Sequence, residues 1–236
     1  MTLPKINDVP KYDLVIPSTK QAVKFRPFFV KEQKVLLMAM ESQDQKQVVN
    51  AITDTIKSCV ITETDFSKLT SFDIEYLFIQ IRAKSVGERS NLSLKCEKCD
   101  DYTPVVVNLE DIVVNVPKTS TTIKLNDQYS LKLKYPTHSA IMQNEMLQEK
   151  TSATEAMYQT IITCLDSLQS QESSIKFDEE PREEVTKFLE ALTSQQFDEL
   201  ALFVQDIPKL SHKVSFNCKH CKHDNKITLQ GIRDFF

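Results

Sequence analysis

Leu92-Ser-Leu-Lys-Cys96-Glu-Lys-Cys99 and Lys213-Val-Ser-Phe-Asn-Cys218-Lys-His-Cys221 are the stretches around which this chain is organised. Each alternates apolar and polar residues up to a Cys-x-x-Cys. Each is then followed by a second strand-like run, Val105-Val-Val-Asn-Leu109 in the first case and Ile227-Thr-Leu229 in the second. A strand, a tight Cys-x-x-Cys turn and a return strand make one rubredoxin-like knuckle. Two knuckles supply the four thiolates that a tetrahedral structural zinc site takes. Cys96, Cys99, Cys218 and Cys221 are therefore the expected ligands of one Zn2+ per chain, with no coordination position left open for catalysis. The two pairs lie 122 positions apart, so a shared metal would clamp the C-terminal stretch onto the middle of the chain.

Other readings of these cysteines stand beside that one. A Cys-x-x-Cys also serves as a redox pair or a disulfide, which would make the protein a thiol oxidoreductase. Redox motifs of the thioredoxin type sit where a strand enters a helix, whose N-terminus lowers the thiol pKa. Here β-patterned residues flank both motifs. His220 and His223 are candidates to replace a thiolate, since sites with three cysteines and one histidine exist. With four cysteines at hand they read as loop residues. Cys59 and Cys164 fall in apolar helical patterns and read as small core residues.

Composition narrows the function classes. The 236 residues are enough for an ample core, and 41% hydrophobic with 26% charged residues is ordinary for a soluble protein. Only two glycines occur, Gly87 and Gly231, and no tryptophan. Such scarcity argues against phosphate-cradling loops, which need close backbone approach. A net charge of −4 gives no global attraction to nucleic acid. No apolar run approaches the ~20 residues that span a bilayer. The opening Met1-Thr-Leu-Pro-Lys-Ile lacks the charged-then-apolar build of a signal peptide. Four of six cysteines in Cys-x-x-Cys pairs suit a reducing compartment, so a cytoplasmic product is expected. His138, His212, His220 and His223 form no metalloprotease motif and accompany no nucleophile, and Asp178-Glu-Glu180 reads as a solvated face. Nothing asks for an enzyme.

Read in order, residues 1–11 are extended, and Tyr12–Ile16 with Ala22–Phe25 form a hairpin closed by Pro27. Helical periodicity follows from about Val30, then from Asp44 to about Val60. A third helix is led by Leu69-Thr-Ser and ends in Arg82-Ala-Lys84-Ser-Val-Gly87, cations followed by a stop glycine. The first knuckle spans 91–109, and Asp111 to Val116 reads as strand. A second hairpin occupies 121–134, followed by Pro136. Helical patterning resumes near Ser139 and runs through Met146 and Leu147, then over Ala156 to Leu168. Residues 169–181 read as a surface loop, and Arg182 to Leu192 as an amphipathic helix. A further Leu192-Thr-Ser-led helix precedes the second knuckle at 213–230.

Hairpin, proline, helices, Leu-Thr-Ser helix and knuckle thus occur twice, with offsets of 109 at Pro27/Pro136, 125 at Phe72/Phe197 and 122 at Cys96/Cys218. The expected fold is α+β, in two pseudo-repeated halves, 1–116 and 117–236, joined by a split four-cysteine zinc ribbon into one cooperative unit. Chance similarity of two generic α+β stretches is the plainer alternative.

Two surfaces are candidates for partners. Lys209, Lys213, Lys219, Lys222 and Lys226 surround the second knuckle, with Phe216 for stacking, as a zinc-ribbon nucleic-acid-binding regulator would have. Glu97, Asp100 and Asp101 on the first knuckle offset that field, so nucleic acid is not the expected partner. The elbow Arg82, Lys84, Ser85, Gly87 and Glu88, leading from helix to knuckle, reads either as ordinary helix-end charge or as a docking surface for another protein.

Phe25-Arg-Pro-Phe-Phe-Val-Lys-Glu-Gln-Lys-Val-Leu-Leu-Met-Ala-Met-Glu-Ser42 resembles the opening of the T4-type phage baseplate protein family. So does Phe72-Asp-Ile-Glu-Tyr-Leu-Phe-Ile-Gln-Ile-Arg-Ala-Lys-Ser-Val-Gly-Glu88 with the Cys96-x-x-Cys99 that follows. The resemblance covers most of the first half, and the second mainly through its Cys-x-x-Cys ending. It implies a non-enzymatic protein of tail morphogenesis that contacts other baseplate hub or tail proteins, acts in the host cytoplasm and enters the virion baseplate. It transfers no catalytic residues.

Overall fold

A computed structural model of the chain describes residues 9–42, 44–114, 117, 120–143 and 152–235. In chain order the elements begin with β1 (Tyr12–Val15), β2 (Ala22–Phe25), α1 (Val30–Glu41), α2 (Gln45–Cys59) and α3 (Ser71–Val86). β3 (Arg89–Lys95), β4 (Tyr102–Asn108), β5 (Val113–Val114), β6 (Thr122–Lys124) and β7 (Ser130–Leu133) follow. Then come α4 (His138–Gln143), α5 (Ala153–Cys164), β8 (Leu165–Gln169), β9 (Ser174–Lys176), α6 (Arg182–Glu190) and α7 (Ser194–Gln205). β10 (Leu210–Asn217) and β11 (Asp224–Gln230) complete the set. The chain is α+β. The expected extended segment at 1–8, the Val116 end of the expected strand and the helical reading at Met146 and Leu147 lie outside the described residues.

The chain divides into two compact units. One is formed by residues 1–66, 72–115 and 209–236, the other by 67–71 and 116–208. In the first, β1 and β2 pair as an antiparallel hairpin, and α3 is the central element. Phe72, Ile74, Leu77, Phe78, Ile79, Ile81 and Ala83 of α3 are all buried, which is why its sequence shows no single apolar stripe. Asp73, in the first turn of α3, accepts from the backbone N–H (2.9 Å) and hydroxyl (2.5 Å) of Ser18 in the hairpin turn. Gly87, at φ +138°, turns the chain from α3 into β3, a backbone conformation that side chains with a Cβ rarely take. β3 pairs with β4, and β10 pairs with both β11 and β5. The inward residues of both hairpins share one core: Leu92 and Val107 from the first, Val214, Phe216 and Leu229 from the second, with Ile79, Leu109, Leu210 and Phe235.

The second unit is a four-stranded antiparallel sheet in the order β6-β7-β8-β9, with a core of Leu131, Leu133, Ile161, Leu165, Val185, Leu189, Leu200 and Phe203. It corrects two readings of the sequence. The helix expected to reach Leu168 stops at Cys164, and Leu165–Gln169 is a strand. The supposed loop 169–181 contains β9. The apolar residues Ile161, Ile162, Cys164, Leu165 and Leu168 fit a helical period, but β7 offers an unpaired edge, and pairing with it satisfies backbone groups that a longer helix would leave unused.

The two helices that end in a buried cysteine close in the same way. Arg26 N–H donates to Cys59 O at 3.0 Å in the first unit, and Lys134 N–H donates to Cys164 O at 2.8 Å in the second. The following residue bridges the preceding hairpin strand, Val60 to Phe25 and Leu165 to Leu133. Burial pushes the Cys59 thiol up to about 11 and the Cys164 thiol up to about 12, so both are inert core residues.

Candidate metal centre

Local backbone geometry makes each knuckle. Cys96 N–H donates to Asp101 O (2.9 Å) and Asp100 N–H returns to Cys96 O (3.0 Å), which forces Asp100 to φ +59°. The second knuckle repeats this: Cys218 N–H to His223 O (2.9 Å), Lys222 N–H to Cys218 O (3.1 Å), and Lys222 at φ +59°. The tight turn aims both thiols of a Cys-x-x-Cys to one side.

All four predicted thiols meet. The sulfurs of Cys96, Cys99, Cys218 and Cys221 lie within 4.8 Å of one another, with Cys96–Cys221 at 3.7 Å and Cys99–Cys218 at 3.5 Å. Four sulfurs at the usual Zn–S distance of ~2.3 Å, on tetrahedral corners, stand about 3.8 Å apart. A disulfide needs about 2.05 Å, and all six cysteines are free thiols. The donor set and its spacing therefore fit a four-coordinate soft divalent metal.

Electrostatics agree with that fit. The N–H groups of Cys221 and His220, acting against burial, hold the Cys218 thiol down at about 6. Burial works against Cys96 as well, yet the N–H groups of Lys98 and Cys99 bring it below the usual thiol range. Cys99 is pulled down by the Asp101 N–H, but burial and the neighbouring sulfurs outweigh this and push it up to about 12. Backbone dipoles thus favour the thiolate form at Cys218 and, in direction, at Cys96, negative charge that a cation would relieve.

Two further residues, not singled out in the sequence, tie the knuckles together. Glu97 N–H donates to Asn225 Oδ1 at 3.0 Å, and Lys219 N–H donates to Thr103 Oγ1 at 3.2 Å. Thr103 and Asn225 are buried and occupy inward positions of their return strands. A polar residue at an inward strand position, repeated 122 residues later, is the signal that could have found them.

Other candidates sit differently. His220 and His223 stay out of the sulfur cluster; His220 Nδ1 lies 3.8 Å from Asp101 Oδ2 in an exposed pair. In the elbow, Lys84 is bound internally by Glu110 and Glu88, whose carboxylates hold its ammonium well above the usual lysine range. Ser85 Oγ accepts from Phe28 N–H at 2.9 Å and donates to Ile81 O at 2.6 Å. Arg82 is half-buried, while Val86, Gly87 and Glu88 are exposed. Phe216 is buried in the core and cannot stack on a base.

Fold and site define an α+β chain with a four-cysteine cluster closed between two knuckles. Residues 9–236, nearly the whole chain, match the model of the T4 bacteriophage base plate protein family, and the chain belongs to that family. Membership implies a structural or assembly role in the phage tail, contact with other tail proteins and a family that is generally non-enzymatic. No curated protein and no solved structure matches the chain. Among the described residues, no helix is long and apolar enough to cross a membrane.

Proposed function

We propose that this chain is a non-enzymatic protein of tail morphogenesis, an assembly factor or minor subunit of the base plate hub, stabilised by one structural Zn2+. The observation that carries it is the convergence of Cys96, Cys99, Cys218 and Cys221 in a chain of the base plate family. Four thiolates saturate a tetrahedral ion and leave no place for a reactive water, so the metal would supply cohesion and no chemistry. It works in the host cytoplasm during assembly and joins the tail, docking hub or tail proteins through surfaces that include the elbow Arg82, Lys84, Ser85, Gly87 and Glu88.

We also infer a duplicated module, 1–116 and 117–236, folding as one cooperative unit around the shared metal. Supporting it are the matched knuckle turns, the reciprocal bonds of Glu97 with Asn225 and of Lys219 with Thr103, and the equivalent ends of α2 and α5. Leu109 N–H donates to Glu88 O, and 122 residues on Gly231 N–H donates to Leu210 O.

The test is phage grown without this protein, complemented with the wild-type chain or with Cys96→Ser. Hubs and infectious tails at normal yield in its absence would sink the reading. The lysines around the second knuckle keep one competitor alive, a nucleic-acid-binding regulator. Salt-sensitive DNA or RNA binding, lost when Lys219, Lys222 and Lys226 are neutralised, would favour it.

A further inference from the structure

We propose that the outward face of the β3–β4 hairpin is the docking surface for a protein partner that presents an apolar strip flanked by carboxylates; this rests on the reading that the chain works through protein contacts. Along β4, Thr103, Val105 and Val107 point inward, which leaves Tyr102, Pro104 and Val106 outward. Tyr102 is 61% exposed and Val106 60%. Opposite them on β3 lie Lys95, Ser93 and Asn91, with Arg89 at the end of the row, all exposed.

The second hairpin shows that the fold does not require this apolar strip. At the positions 122 residues on, β11 carries Asp224, Lys226 and Thr228 in place of Tyr102, Pro104 and Val106. Strand preference accounts for Tyr102 and Val106 but not for Pro104, since proline is a poor strand residue. Pro104 has no N–H to give, so the free edge of β4 lacks a donor at its middle. A partner strand adding to that edge would lose a bond there, whereas a partner lying across the face would not.

Charge selects the chemistry of that partner. The seven outward strand residues include two cations, Arg89 and Lys95, and no carboxylate; the exposed Glu88 and Asp100 stand beside them at the two ends, and the partner's carboxylates exchange with these. Six residues of strand place them about 20 Å apart, at opposite ends of the apolar strip. Lys95 now bridges Asp100 at 2.8 Å, but both groups are more than half exposed, and such pairs exchange readily for a better one. Two widely spaced cations around an apolar centre suit a protein segment better than a phosphate backbone, which rewards a continuous row of lysines.

The test uses purified tail proteins of the same phage, each titrated separately against the wild-type chain and against a variant wearing the second hairpin's face, Tyr102→Asp, Pro104→Lys and Val106→Thr. Metal content and melting temperature are read alongside. The expected result is one tail protein that binds the wild-type chain, binds the variant at least about tenfold more weakly, and binds Arg89→Glu more weakly until one of its own carboxylates is changed to lysine. Lys226→Ala, on the other hairpin, leaves the affinity unchanged. Equal affinity for the wild type and the face variant overturns this surface while leaving the assembly role intact. No binding of any tail protein to the wild type overturns both. A 20-nucleotide single strand that binds the wild type and not the face variant overturns the protein partner in favour of nucleic acid.

Discussion

The backbone N–H of Glu97 donates to the Asn225 side chain across 128 positions of sequence. Asn225 Nδ2 in turn donates to His223 O at 3.0 Å, so one fully buried amide fixes both knuckle loops. Asn225→Ala removes a part-buried hydrogen bond from the Glu97 N–H and should cost about 0.5–1.5 kcal/mol. Chemical denaturation of the metal-loaded protein measures it. A change within a few tenths of a kcal/mol would show that the bond is ornamental.

Cys96→Ser and Cys221→Ser should each lose the metal and lower the melting temperature. Structural zinc contributes on the order of 10 kcal/mol in small fingers, and less is expected here because the two hairpins also share an apolar core. Elemental analysis with thermal unfolding tests this. A single-serine variant that keeps one metal per chain at full stability would contradict the shared site.

Glu75 on α3 should make stability pH-dependent. Burial raises its carboxyl to about 7, partly offset by the N–H groups of Leu210 and Ile232, which it accepts. A raised carboxyl pKa means that the folded state binds its proton more tightly than the unfolded chain. Its ionised form is therefore a penalty, present in full above pH 7 and relieved as pH falls from about 7 toward the ordinary carboxylate range. Relative to wild type, Glu75→Gln should gain stability between pH 5 and pH 8, by up to about 3 kcal/mol. Taking the difference between the two proteins cancels every pH effect that the cysteine cluster has on both. A difference that does not change with pH would refute the burial account.

Arg26 and Glu32 are a largely buried pair at 3.0 Å, and Arg26 also donates to Ser58 O. Burial alone would raise the Glu32 carboxyl, yet the Arg26 side chain and the Phe29 N–H bring it below its ordinary range. Arg26→Ala leaves that carboxylate with only the exposed Lys31 ammonium at 3.4 Å and the Phe29 N–H, and should cost up to about 3 kcal/mol, the low end for a broken buried pair. Arg26→Met with Glu32→Leu should recover most of the loss. If the double variant is as unstable as the single one, packing rather than charge explains the site.

How far the sequence could be read follows from how local each signal was. The Cys-x-x-Cys turns, both hairpins and the caps of α2 and α7 are specified within a few residues, and Asp44 and Thr193 stand where their helices begin. β8 could not be read this way, because its helical period is overruled by the open edge of β7, more than thirty positions earlier in sequence. β5 is two residues long and exists only because Leu210 and Ser211 pair with it from far along the chain. The same limit hid Thr103 and Asn225. Each looks like an ordinary polar strand residue until its partner, a backbone N–H in the other knuckle, is placed beside it.

The four-sulfur cluster also sets a timetable. A ribosome working at 5–20 residues per second makes Cys218 about 6–24 s after Cys96. During that interval the first knuckle has only half of the clustered thiols and faces whatever metal or oxidant the compartment holds. The segment 116–208 emerges within the same interval and is all present before the second knuckle exists. The unit that begins first is thus the one completed last, and a nascent chain stalled in between would display the first Cys-x-x-Cys without its match.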